Sequence, residues 1–336
     1  MAKLNLNIYK LHFTTPLHLG DVRDDYSISL KSVASDTMYA ALIATLAKLG
    51  ETIPDNGDLK CTISSLFPFY QKDKANNDAV LFFPKPLKQT VPHSQAAIEE
   101  RKKIKKVSWL EASYFSKALK GEQLFDNDLT INKIKGEFLS DKEFDTDFIT
   151  SQVSPRVSVS RTGVENAEPF YMDRIIFKDY SGLFFIAAGD ISLLEKALNL
   201  LQHEGIGTDR NVGNGYFEYD KATIELDILE KTDYAISLSS FVPENKEQLT
   251  QMLDSEKIAY NFQRRGGWIT TPPFNSYRKN AIHAFTYGSV FKHCCNSMEV
   301  HGRVDINLKP DISWNSGITH PIWRCGRALF LPFKNE

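Results

Sequence analysis

Gly205, Gly207, Gly213 and Gly215 crowd the segment Gly205-Ile206-Gly207-Thr208-Asp209-Arg210-Asn211-Val212-Gly213-Asn214-Gly215-Tyr216-Phe217, which is more glycine than a turn needs. Glycine admits positive φ and lets a second backbone come close, and successive amide N–H groups turned inward form a nest that can hold an anion such as phosphate. Arg210 adds a planar, permanently charged fork of donors to the same loop. In dipole-based phosphate loops the glycines follow a strand and open a helix. Here the order is reversed. Ser192-Leu193-Leu194-Glu195 reads as a capping box, and Leu194, Ala197, Leu198 and Leu201 recur at helical spacing, so the glycines fall at a helix C-terminus, whose dipole repels anions. Two readings stay open on these residues alone: Gly205 is a C′ cap followed by a wide turn, or amides further along the loop join Arg210 in a nest.

The remaining candidates for chemistry are more scattered. His12 or His18 has the pKa range for a general acid or base in RNA cleavage, but neither has a positioned partner in the sequence. His12, His18, His283, His293, His301 and His320 form no metalloprotease-type pair, and His293-Cys294-Cys295 lacks the spacing that lets two ligands converge on one zinc. No metal site is expected. Asp36 falls in the first turn of a helix, where the dipole accounts for it. RNA recognition on a β-rich surface needs phosphate donors and flat groups for stacking, and the chain has both. Tyr216, Phe217 and Tyr219 follow the glycine loop, and Trp268 follows Arg264-Arg265. The run Arg101-Lys102-Lys103-Ile104-Lys105-Lys106 and the pair Arg156 and Arg161 are further basic candidates, although charge runs are usually solvated faces.

Elements of mixed type must position these groups. Residues 4 to 14 have strand composition. A helix follows, with Ser35 as N-cap, Leu42, Ile43, Leu46 and Leu49 on one face, and Gly50 as C′. Residues 79 to 84 and 183 to 188 read as buried strands, then comes the helix before the glycine loop, and Tyr216 to Leu229 returns as a strand. Strand, helix, strands, helix, strand is a ferredoxin-like order. The stretch from about 85 to 172 is too long for a simple connection and carries insertions. Within it Val153, Val157 and Val159 share one parity while Ser154, Arg156, Ser158 and Ser160 share the other, which predicts an extended β-hairpin with one polar, basic face. After about residue 230 the pattern restarts, with a strand at Tyr234 to Phe241, a helix near Glu244 to Leu253, a Gly266-Gly267 turn and strands to Phe333.

The expected fold is therefore α+β, with two ferredoxin-like (RRM-like) domains, 1–229 and 230–336, and an inserted hairpin. At 336 residues, 42% hydrophobic and 24% charged, the chain can bury two cores, and a net charge of -2 argues against wholesale electrostatic capture of nucleic acid while allowing a local basic groove. Cys61, Cys294, Cys295 and Cys325 show no Cys-x-x-Cys spacing, and no long apolar run appears, so a reducing cytoplasm and no membrane are expected.

Several segments together resemble the RAMP superfamily of CRISPR effector proteins. Phe13-Thr14-Thr15-Pro16-Leu17-His18-Leu19-Gly20, with Ser35-Asp36-Thr37 opening a helix, is similar to its first strand, loop and helix, and the glycine loop is similar to its glycine-rich signature. Phe83-Pro84-Lys85-Pro86-Leu87, Arg264-Arg265-Gly266-Gly267-Trp268-Ile269, Tyr287-Gly288-Ser289-Val290-Phe291 and His320-Pro321-Ile322-Trp323-Arg324-Cys325-Gly326-Arg327-Ala328 look like the fourth subunit of the type III-A (Csm) complex, over nearly the whole chain. The resemblance implies RRM-like RAMP domains with a hairpin thumb, a grip on the 5′ handle of crRNA, and docking to the large polymerase-like subunit beside a backbone RAMP subunit. It also implies a non-catalytic role without cofactor. The expected RNA-binding set is Gly205, Gly207, Thr208, Arg210, Asn211, Gly213, Gly215 and Tyr216 in the loop, Arg156, Ser158, Ser160, Arg161 and Thr162 on the hairpin, and His18, Arg264 and Arg265. The alternative is a metal-independent repeat endoribonuclease of the same superfamily using His12 or His18.

Overall fold

The computed structural model describes residues 2–20, 26–74, 78–87, 98–125, 128–158, 167–271, 273–311 and 317–335. The first strand, Ala2–Phe13, lies at the centre of the larger sheet. It pairs antiparallel with Gly182–Gly189 on one side, from Asn7 opposite Ala187 to His12 opposite Gly182. On the other side it pairs with Phe217–Ile228 along its whole length, from Ala2 opposite Ile228 to Phe13 opposite Phe217. Strands Cys61–Ile63 and Phe67–Tyr70 continue the sheet beyond Gly182–Gly189. Helices Ser35–Lys48 and Ser192–Glu204 pack on one another, burying Met38, Leu42 and Leu46 from the first and Leu194, Ala197, Leu198 and Leu201 from the second. A strand-helix-strand-strand-helix-strand path thus lies in the spatial order fourth, first, third, second. Lys10 is fully buried in the central strand, and its charge is met by Gln71 Oε1 at 2.8 Å and Asp220 Oδ2 at 3.1 Å, as a buried cation requires.

Both helix starts differ from the sequence expectation. Ser35 is the first helical residue and Ala34 the cap; the Ser35 hydroxyl instead accepts the Ser240 N–H at 2.8 Å from the other half of the chain. Ile191 caps the second helix, and Glu195 turns away from any capping box to accept the Tyr9 hydroxyl at 2.6 Å and pair with Lys221. A cap signature is local, and a long-range partner for the same side chain overrides it. Gly50, at φ +73°, does end the first helix.

The insertion does not stand apart. Val80–Pro84 pairs with Phe67–Tyr70 and then with Trp109–Glu111, which runs parallel to Phe138–Leu139. Phe82, Phe83, Phe115, Phe138, Phe144 and Phe148 fill this end of the core. The lysine run is helix Ile98–Lys106, whose Ile104 is buried while Lys102, Lys103, Lys105 and Lys106 face solvent. Strands Ile149–Ser158 and Glu168–Phe177 form a separate two-stranded ladder, with Ile149 opposite Phe177 and Ser158 opposite Glu168.

In the second half, Thr232–Ser237 lies between Val290–Cys295 and Ala328–Phe333, with Glu299–His301 beyond the latter. Helix Lys246–Leu253 is capped by Asn245, whose Oδ1 accepts the Gln248 N–H at 2.8 Å. The two sheets share apolar contacts: Leu238, Val290, Leu329, Leu331 and Phe333 belong to the same buried cluster as Leu6, Leu42 and Phe184. Among the described residues no helix is long and apolar enough to cross a membrane.

Candidate nucleic-acid interface

The glycine loop leaves helix Ser192–Glu204 at Gly205, where φ is +75° and ψ 170°. Gly207, Gly213 and Gly215 also have positive φ, at +86°, +93° and +78°, and Asp209 joins them at +60°. Three of the glycines are fixed by close backbone approach. A Cβ on Gly215 would collide with the Ile206 carbonyl, one on Gly207 with the His18 carbonyl, and one on Gly205 with the chain at Asn214 and Gly215, whereas Gly213 faces open space.

Most loop amides are already used by the protein. Ile206 N–H donates to Gly215 O, Thr208 N–H to His18 O at 3.0 Å, Val212 and Asn214 N–H to Asp209 O, Gly213 N–H to Arg210 O, and Gly215 N–H to Pro16 O at 2.8 Å. Tyr216 N–H donates to Thr15 Oγ1 at 2.8 Å. The nest is therefore narrower than the glycine count suggests. Its available face is the turn Arg210–Val212, where Asn211 and Val212 are exposed and Arg210 is half-buried. Tyr216, half-buried, is tied to the same turn by its hydroxyl, which donates to Arg210 O at 3.3 Å.

The loop is stitched to the end of the first strand and through it to the hairpin. Leu17 and Ile175 exchange backbone bonds of 2.8 and 2.7 Å, and Asp173 N–H donates to Tyr26 O at 2.8 Å. His18 sits at this crossing, 1% exposed, with Nδ1 donating to Asp173 O at 2.6 Å. It is placed inward as a bolt between loop and hairpin, not on the surface. Tyr26 leans on His18 with ring centroids 5.8 Å apart and on Phe170 at 5.6 Å, and it is 41% exposed. His12 is also engaged, between Tyr180 O and Asp220 Oδ1 at 2.9 Å.

Arg156 stands opposite Phe170 on the hairpin, half-buried. Ser158 ends its strand, while Ser160, Arg161 and Thr162 lie outside the described residues. The valine face of the hairpin is open, with Val153 54% and Val157 58% exposed and Tyr171 64% exposed. Sequence parity separated the two faces correctly but marked only the polar one as available. Two buried donors were missed altogether: Arg174 Nε, on the second hairpin strand, and Asn214 Nδ2, in the glycine loop, have no hydrogen-bond partner among the described residues. Nothing in a single sequence marks a donor as orphaned. Each such group in a folded protein asks for an acceptor from elsewhere.

Arg264 and Arg265 part company, as neighbours on a strand must. Arg264 is exposed opposite His283. Arg265 turns inward, its Nε and Nη2 each 3.0 Å from Asp36 and its Nη2 2.6 Å from Thr37 Oγ1. Arg324 Nη1 contacts the same carboxylate, and Ser240 Oγ donates to it at 3.1 Å. Burial pushes the Asp36 carboxyl up, but the two guanidinium groups outweigh burial and hold it at about 2. Asp36 is thus more than a dipole partner; it ties the first helix to the second half of the chain. Asp58, in the loop before Cys61–Ile63, is tied to the second half by Arg327, whose hydrogen bond is the main cause holding it at about 2. Lys279, beside this cluster, is lowered to about 8, mainly by burial and then by Arg324. On the outer side Trp268 is 47% exposed with the Arg278 guanidinium 4.1 Å from its ring centre.

Residues 230–333 match the family of CRISPR Csm4 C-terminal domains. The CRISPR system Cms protein Csm4 of Streptococcus thermophilus is 24% identical over 294 residues, covering 84% of this chain and 88% of the relative. The fold is similar to that of a chain in the crystal structure of a Csm1–Csm4 cassette in complex with cA4, with a TM-score of 0.56, 17% identity and 99% of both chains covered. It is also similar to a chain of a Csm3–Csm4 subcomplex of the type III-A CRISPR-Cas interference complex, with a TM-score of 0.54, 18% identity and 98% and 99% of the two chains covered. Residues 230–333 thus carry a Csm4 C-terminal domain, and the chain is similar to Csm4 proteins in sequence and in fold along most of its length.

Proposed function

We propose that the chain is a non-catalytic RNA-binding subunit of a cytoplasmic type III-A CRISPR interference complex, gripping the 5′ handle of crRNA and docking a large polymerase-like subunit and a backbone RAMP subunit. The carrying observation is the junction at His18, which brings the glycine loop and the hairpin root together through Thr208 N–H to His18 O and His18 Nδ1 to Asp173 O. Around it lie donors that an RNA backbone can use: Arg210 and the exposed Asn211 in the turn, and Arg156 on the hairpin. Phosphate contacts of this kind position RNA without reading sequence. Gly205, Gly207 and Gly215 then serve by shaping the loop, and His18 by bolting it, while Arg265 holds the strand from which Arg264 reaches outward.

The strand order of residues 1–229 supports a ferredoxin-like (RRM-like) RAMP domain, into which about 85–172 is inserted with the hairpin as a thumb. Residues 230–336 form the second domain, a divergent version with one helix and a different strand order. The hairpin, including Ser158, Ser160, Arg161 and Thr162, presses on RNA where handle meets guide. The partners come from the relatives' assemblies, a Csm1–Csm4 cassette and a Csm3–Csm4 subcomplex.

The test is co-purification of the complex followed by RNA sequencing. The expected result is RNAs that share one 5′ repeat-derived end, with less RNA per complex in Arg210→Ala and Arg264→Ala at unchanged subunit composition. RNA of random ends, or full occupancy in both variants, would refute the reading.

A further inference from the structure

We propose that His293, Glu299 and His301 form a binding site for one divalent transition-metal ion of the zinc class. His293 lies on Val290–Cys295 and His301 on Glu299–His301, the two outer strands of the four-stranded sheet. The sheet curls over Phe330, whose ring is 6.2 Å from His293 and 5.8 Å from His301, and the two imidazoles meet with centroids 4.4 Å apart. The connection Asn296-Ser297-Met298 closes the curl.

The convergence is on one atom. His293 Nε2 is 2.8 Å and His301 Nε2 3.1 Å from the same Glu299 Oε2, and ligand atoms from all three residues lie within 4.8 Å of one another. The other carboxylate oxygen accepts the Asn296 N–H at 3.4 Å, which orients the carboxylate as outer partners of metal ligands do. Zinc bound at about 2.0–2.1 Å to imidazole nitrogen and carboxylate oxygen sets its tetrahedral ligands roughly 3.3 Å apart. Each imidazole nitrogen therefore needs to draw back from Glu299 Oε2 by only a few tenths of an ångström, and the two nitrogens already lie within 4.8 Å of each other.

Two imidazoles with one carboxylate suit zinc, cobalt or nickel, whereas magnesium and calcium take all-oxygen sets. The side chains of His293, Glu299 and His301 are 24%, 29% and 27% exposed, so an ion is sheltered against Phe330 yet can enter from solvent. Three protein ligands leave a fourth position for water. A bound ion would clamp the two outer strands together across the curl and stiffen the edge of the second sheet.

The test uses the full chain, stripped with EDTA and dialysed, then titrated with zinc chloride by calorimetry and with cobalt chloride by visible absorption. The expected results are one equivalent of zinc, a cobalt ligand-field band that zinc displaces, and a raised Tm with zinc. His301→Gln and Glu299→Gln, checked for folding by circular dichroism, should each weaken zinc by more than the roughly 10- to 100-fold lost with an outer partner. Cys294→Ala, at the exposed neighbour of His293, should leave binding unchanged. Absence of saturable binding by the unsubstituted chain would overturn the proposal without recourse to any variant. Undiminished binding in Glu299→Gln and His301→Gln, or loss in Cys294→Ala alone, would overturn it as well.

Discussion

The glycine loop and the Arg264–Arg265 strand both carry proposed RNA contacts, but they are anchored by opposite means. The loop is held by neutral backbone bonds to Pro16 and His18 and by glycines that admit the close approach. The strand is held by a buried carboxylate, Asp36, shared between Arg265 and Arg324. A neutral junction depends on space and φ. A charged one depends on every member being present, because a buried ion without its partner keeps the desolvation cost and loses the attraction.

The largest effect is therefore expected at the charged junction. Asp36→Asn leaves two guanidinium groups around a neutral amide and should cost about 3–5 kcal/mol, read from denaturant unfolding of the full chain. The pH dependence follows from the sign of the shift. Asp36 and Asp58 are both depressed from 3.8 to about 2, so their stabilisation is present above the unfolded value and is lost as pH falls through the folded one. Stability should decline between about pH 4 and pH 2, and Asp36→Asn should flatten part of that decline. An unchanged acid limb in that variant would mean that the charge is not what anchors the strand.

At the neutral junction the effects are somewhat smaller. Gly215→Ala drives a Cβ into the Ile206 carbonyl and should cost about 2–3 kcal/mol by forcing the backbone apart. Gly213→Ala meets open space and bears only the positive φ, roughly 1–2 kcal/mol. Neither should change the acid limb. Equal losses at the two positions would show that conformation alone, and not the approach to Ile206, governs the loop.

The sequence carried the period of these elements and little about their partners. Helical spacing from Leu194 to Leu201 and the strand runs on either side placed the glycine loop correctly between Ser192–Glu204 and Phe217–Ile228. Alternation likewise gave the hairpin. Ser35 failed as a cap, and Arg265 turned inward, because their environment is decided by residues far along the chain: Asp36 is 229 positions from Arg265. Ser192 failed locally, bonding Asp190 two residues back. Strand parity could have shown that Arg264 and Arg265 cannot both face outward, though not which one would. The fate of the loop amides was equally hidden, since Pro16 O and His18 O reach them only in the folded chain.

The smallest stability effect is expected on the hairpin, and it separates anchoring from use. Arg156 is half-buried and Val157 is 58% exposed on a two-stranded ladder packed on the body at its root and touched further out by Tyr26 on Phe170. Arg156→Ala and Val157→Ser should each change stability by no more than about 0.5 kcal/mol, as surface substitutions do. If the hairpin presses on RNA, Arg156→Ala should nevertheless lower retention of crRNA in the purified complex, with a shallower salt dependence than the unsubstituted chain, because one phosphate contact fewer releases one counterion fewer. A stable variant with undiminished retention would leave the hairpin without a part in RNA binding, and the grip would then rest on the glycine loop and Arg264.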